Sequence, residues 1–181
     1  MQYLRPLCIA FVLGTVGAGV GPKVPDALSC PGRCETKIGY QLDPQFDDDE
    51  QAIIAEAAGA WEHGSGGRVC FSRGGHDIQF IRLDRQSELE PQDSEWRHHV
   101  ALCKGNKIWL VPSKIDERGE YVALVIHEIG HHLGLPHIED AKDTFMHSTI
   151  NDTPHALWVT PVLPERDRRE FCSVRSCSCD W

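Results

Sequence analysis

One short segment holds most of the chemistry this chain can do. It reads His127-Glu128-Ile129-Gly130-His131-His132-Leu133-Gly134-Leu135-Pro136-His137. In residues 120–137, Val122, Val125, Ile126, Ile129 and Leu133 follow the i, i+3, i+4, i+7, i+11 spacing of an apolar helical stripe. On that helix His127 and His131 share a face, about 6 Å apart along the axis. Two imidazoles so placed can grip one metal ion. Glu128 falls about 100° further round, towards the open side of that metal. Gly134 suits the left-handed residue that ends a helix, and the turn beyond it returns His137 to the same ion. Three neutral nitrogens with a fourth position left for water suit zinc, which is borderline-soft and tetrahedral.

The chemistry this set suits is hydrolysis by a metal-activated water, with Glu128 as general base. The competing reading is a secreted zinc-binding module or adhesin that hydrolyses nothing. Glu128 argues against it, because metal binding alone needs no carboxylate there. The other histidines have weaker patterns. His132 points off the metal face. His147 has no spacing that demands a metal, and His76, His98 and His99 make an incomplete set for a second, structural zinc.

The elements that must position these groups follow from local patterning. Residues 36–44 alternate Ile38, Tyr40 and Leu42 as a half-buried strand, ended by Pro44. Residues 47–64 predict a helix: Asp47 to Glu50 cap it and oppose its dipole, and Ile53, Ile54, Ala57, Ala58 and Trp61 form one apolar face. The acidic run could instead hold a structural Ca2+, but a cap with solvated charge is the simpler reading. Residues 68–71 and 77–83 predict strands. Residues 98–103 and 107–112 flank Gly105-Asn106 as a hairpin. Residues 84–97 read as a polar loop. Together these elements imply an α+β domain, with helices packed on a twisted mixed β-sheet.

The chain has 181 residues, 41% of them apolar and 25% charged, with a net charge of −9. That is ordinary globular composition. No basic stripe is present to neutralise phosphates, so nucleic acid is excluded as a partner. Residues 1–20 have the shape of a signal peptide, with Arg5 before an apolar run. The run is Gly-rich and short of the roughly 20 apolar residues a membrane span needs. Cleavage would leave an N-terminal arm at residues 21–35, a domain at 36–181, and no span. The protein is then secreted or extracytoplasmic, and a monomer is expected. Seven cysteines would remain: Cys30, Cys34, Cys70, Cys103, Cys172, Cys177 and Cys179. An exported chain uses such residues for disulfides, in a connectivity that spacing cannot give.

The segment 127–137 resembles the extended zinc signature of the metzincin metalloproteases, and matrixin-like catalytic domains in particular. Asp143-Thr144-Phe145-Met146 resembles their Met-turn, which places Met146 beneath the metal. The order of strands and helices before the signature is similar too, and residues 163–172 resemble the closing helix. The resemblance implies a zincin-like fold with an active-site helix, a packing helix and a C-terminal helix. It also implies Zn2+ on His127, His131 and His137, Glu128 as the catalytic residue, and a protein or peptide substrate. Ser148 stands where astacin-type relatives place a tyrosine ligand. Pro31-Gly32-Arg33-Cys34 shares an Arg-Cys pair with the latency motif of matrixins. A disulfide is the simpler reading for Cys34.

Overall fold

The computed structural model describes residues 34–85, 99–149 and 155–177. The leader, most of the arm, most of the loop after Asp84, and Cys30, His98 and Cys179 lie outside the described residues. Five strands form one mixed sheet in the order β2-β1-β3-β5-β4. They are β1 (Thr36–Leu42), β2 (Val69–Arg73), β3 (Ile78–Arg82), β4 (Ala101–Lys104) and β5 (Lys107–Leu110). β1 pairs parallel with β2 and β3, and β3 pairs parallel with β5. β4 runs antiparallel to β5, with Cys103 opposite Ile108 across the hairpin. The strand periodicity is honoured: Ile38, Tyr40, Val69, Phe71, Ile78, Phe80, Ile108 and Leu110 all enter the core.

The helix α1 (Asp48–Gly64) starts within the acidic run, with Asp47 as its cap and Asp48, Asp49 and Glu50 in its first turn. Asp47 accepts from the Glu50 amide at 2.8 Å, and Glu50 accepts from the Asp47 amide at 3.0 Å. This reciprocal capping box satisfies two amides that a helix start otherwise leaves without partners. Glu50 also holds Arg82 of β3 at 3.0 Å. Asp47 and Glu50 are thus committed to the helix start. Among the described residues the acidic run forms no metal-binding group, so the calcium alternative finds no support.

The helix α2 (Arg118–His132) carries the His-Glu-x-x-His segment. It departs from the amphipathic stripe read in the sequence, because every residue from Tyr121 to Gly130 is buried. The reason is its position: α1 packs along it, β4 meets it from the sheet, and the five-residue α3 (His155–Val159) packs against it as well. A helix enclosed on all sides is apolar all round. α3 lies in the stretch after Met146, where the residues gave no periodic signal. The closing helix α4 (Glu165–Arg175) begins right after Pro164 and packs on α1, with Phe171 5.9 Å from Trp61 between ring centres. Among the described residues no helix is long and apolar enough to cross a membrane.

Candidate active site and metal centre

The segment 127–137 does what its spacing demands. α2 ends at His132, and Gly134 takes a φ of +97°, the left-handed region where a side chain is strained. The amides of Gly134 and Leu135 return to the carbonyls of His131 and Gly130. The chain then runs back beside the helix, and the Ile138 amide donates to the Met146 carbonyl at 2.8 Å. That single bond sets the segment carrying His137 alongside the turn carrying Met146. As a result one ring nitrogen from each of His127, His131 and His137 lies within 4.8 Å of the other two.

Each ring on the helix is oriented by a carbonyl. His127 Nδ1 lies 2.6 Å from the Phe145 oxygen, and His131 Nδ1 lies 2.9 Å from the Leu135 oxygen. A carbonyl only accepts, so both Nδ1 atoms carry the proton and both Nε2 atoms present a lone pair. His131 Nε2 and His137 Nε2 are 3.1 Å apart. Two nitrogens bound to one tetrahedral zinc are separated by about 3.4 Å. The donor set therefore fits a zinc ion. The charge state fits as well. Burial first, then His131, lowers the pKa of His127 to about 3. Burial likewise lowers those of His131 and His137. All three are neutral near pH 7, as a metal ligand must be.

Glu128 is buried, with one carboxylate oxygen finding no hydrogen-bond partner among the described residues. Burial raises its pKa to about 8, opposed by the Cys103 backbone N–H, which donates to the carboxylate. A nearby divalent cation would favour its ionised form. Met146 is fully buried against Gly130, where an added Cβ would come 2.3 Å from the Met146 sulfur. Trp61 reaches over from α1 and donates its indole N–H to the Ile126 carbonyl at 2.9 Å. The site thus rests on a floor made by two helices and the turn.

A residue that sequence reasoning passed over supports this floor. Asp167 of α4 is completely buried, accepts from Thr144 Oγ1, and accepts from the Phe145 amide at 2.8 Å. Thr144 Oγ1 in turn accepts from the Met146 amide at 2.9 Å. Asp167 stands among Arg166, Arg168 and Arg169, in a run that reads as solvated. Its signal was one of spacing, since it lies one turn before the buried Phe171 on the same helix face.

Among the described residues the remaining histidines stay outside the cluster. His132 is half-buried, and its Nδ1 donates to the Gly105 carbonyl at 3.3 Å. His147 lies 3.5 Å from Glu139, which also accepts from the Ser148 hydroxyl at 3.0 Å. His76 and His99 join no second metal-binding group among the described residues. Cys34 forms a disulfide with Cys70, so its sulfur is not a thiol held for the metal.

The sequence model of the matrixins matches residues 35–169, well over half the chain. This chain belongs to the matrixin family. The matrixins are zinc metalloendopeptidases, and so is this member. Its fold is also that of the archaemetzincin of Methanopyrus kandleri, whose crystal structure is similar with a TM-score of 0.54. The likeness covers 81% of this chain and 98% of the archaemetzincin at 14% identity, and at that identity it speaks for the fold alone. No curated protein sequence matches the chain.

Proposed function

We propose that this matrixin is an exported endopeptidase in which His127, His131 and His137 hold zinc and Glu128 is the general base. The convergence of three neutral imidazoles next to a buried carboxylate carries the reading. Bound zinc would supply a Lewis acid and acidify a water to a pKa of about 7. The two helix histidines hold their lone pairs in place through the Phe145 and Leu135 carbonyls. Glu128 accepts the proton of the attacking water and passes it to the leaving nitrogen. Met146 fills the space beneath the rings. Export is supported by the leader-like residues 1–20 and by the Cys34–Cys70 bridge.

The test is Glu128→Gln. The variant keeps the volume and the three histidines, so it should bind zinc stoichiometrically by elemental analysis. Hydrolysis of a generic protein substrate should fall by about 10²–10⁴-fold, the usual worth of a general base. Wild-type turnover in that variant would remove Glu128 from its role. Wild-type protein that takes up no zinc would remove the histidines from theirs.

A further inference from the structure

We propose that Glu139 sets a substrate preference: its carboxylate is a held negative charge on the rim of the histidine cluster, and it takes a lysine or arginine side chain of the bound peptide. The inference rests on the peptidase reading above and deepens it. Glu139 stands two residues after His137. Both are exposed, while Ile138 between them is buried and tied by its amide to the Met146 carbonyl. The side chains of His137 and Glu139 therefore leave the same surface of the protein. The charge is felt at the cluster: burial lowers the pKa of His137, and Glu139 opposes that shift.

An exposed carboxylate ordinarily swings freely, but this one is held by the segment after Met146. The Ser148 hydroxyl donates to Glu139 Oε2 at 3.0 Å, and His147 Nε2 faces the same oxygen at 3.5 Å. The Thr149 amide donates to His147 Nδ1 at 3.2 Å. An amide nitrogen only donates, so Nδ1 offers a lone pair and the ring proton sits on Nε2, turned towards Glu139. The ring in that state is neutral, as is the hydroxyl, so the two hold the carboxylate without cancelling its charge. Among the described residues no lysine or arginine pairs with Glu139. Nearby arginines are engaged elsewhere: Arg166 binds the next carboxylate, Asp140, at 3.0 Å and 3.1 Å, and Arg169 binds Glu165. A surface ion pair is weak chiefly because two long side chains must be ordered to form it. Here one partner is ordered in advance and lacks a counter-ion, so an incoming ammonium or guanidinium gains from it.

Peptide binding tests this without turnover. The zinc-loaded Glu128→Gln variant of the full chain is titrated with fluorescent peptides that are uncharged apart from one test residue. That residue is lysine, norleucine or glutamate, stepped through successive positions. At low salt, and at one position at least, the lysine peptide should bind about two- to fivefold more tightly than the norleucine peptide, the range of an exposed ion pair. The glutamate peptide should bind more weakly than either, and both differences should shrink as salt is added. The lysine advantage should vanish in Glu128→Gln/Glu139→Gln and pass to the glutamate peptide in Glu128→Gln/Glu139→Lys. A lysine preference that survives both changes overturns the assignment. So does an equal loss of affinity for all three peptides in Glu139→Gln, which would place the carboxylate behind the metal or the turn, and so does affinity indifferent to charge at every position. Zinc-loaded wild type that binds with the lysine preference but cleaves no peptide would leave Glu139 its role and remove the peptidase reading instead.

Discussion

His127 donates its Nδ1 proton to the carbonyl oxygen of Phe145 across 2.6 Å, and the Phe145 amide donates to Asp167 across 2.8 Å. One peptide unit on either side of Phe145 thus links a helix at the end of the domain to a ring of the histidine cluster. Partners behind a ligand fix its ring and its basicity, and losing one typically costs 10–100-fold in metal affinity. Asp167→Ala should therefore weaken zinc binding by about tenfold or more, although its side chain touches none of the three histidines. Competition against a chelator of known affinity measures it. Affinity equal to wild type would mean that the turn keeps its shape without the carboxylate.

Asp167 also predicts a pH dependence of stability. Burial raises its pKa to about 6 from 3.8, against the pull of Thr144, Phe145 and Met146. The folded protein then binds this proton more tightly than the unfolded chain does. The contribution to stability is full below about pH 4 and is lost as pH rises towards 6, by at most about 3 kcal/mol. Asp167→Asn removes the titration. Urea unfolding of both metal-free proteins from pH 4 to 7 should show wild type losing stability relative to the variant across that window. Titration of the other buried groups cancels in the difference, so parallel curves would sink the argument.

Gly130 and Gly59 are both helical glycines, and the structure predicts opposite signs for their replacement. A Cβ at Gly130 would come 2.3 Å from the Met146 sulfur and 3.1 Å from Trp61, whereas a Cβ at Gly59 meets nothing within 4 Å. Gly59→Ala should gain about 0.5–1 kcal/mol from helix propensity. Gly130→Ala gains the same propensity but overpacks the floor of the site, which costs about 1–3 kcal/mol. Its net loss should come with weakened zinc binding, since the sulfur must move beneath the rings. Thermal melts with and without zinc measure both. An equal rise in Tm for the two variants would show that Met146 yields freely.

Local patterning made the cluster of three histidines legible and left its support hidden. His127, His131, Gly134 and His137 are separated by fixed helical and turn geometry, so their convergence could be derived from spacing alone. The strands were legible for the same reason, since Ile38, Tyr40, Phe71, Ile78 and Phe80 alternate inward as their period requires. Asp167 was not legible, because its meaning depends on Thr144 and Phe145, more than 20 residues away in sequence. The all-round burial of α2 was hidden too. Its apolar stripe is real, but the helix is also packed by α3, five residues with no period long enough to register. The pairing of Cys34 with Cys70 depends on a register that no cysteine spacing contains. Thr36 pairs with Val69 and Lys37 with Cys70, so β1 and β2 bring the two sulfurs together at the sheet edge.

That bridge closes the whole β1-α1-β2 unit, its two cysteines 36 positions apart in sequence. Removing it returns loop entropy to the unfolded chain, worth about 3–4 kcal/mol for a loop of that length. The double variant Cys34→Ser/Cys70→Ser should lose about that much stability in urea. The folded site should change little, because α1 still reaches α2 through the Trp61 indole and the Ile126 carbonyl. Zinc affinity per folded molecule and kcat on a peptide substrate should then stay within about twofold of wild type, while the Tm falls. A variant that kept wild-type stability would show that the strands alone hold the edge. One that folded but lost zinc would show that the bridge acts on the metal centre itself, which its position at the far side of the sheet from β4 argues against.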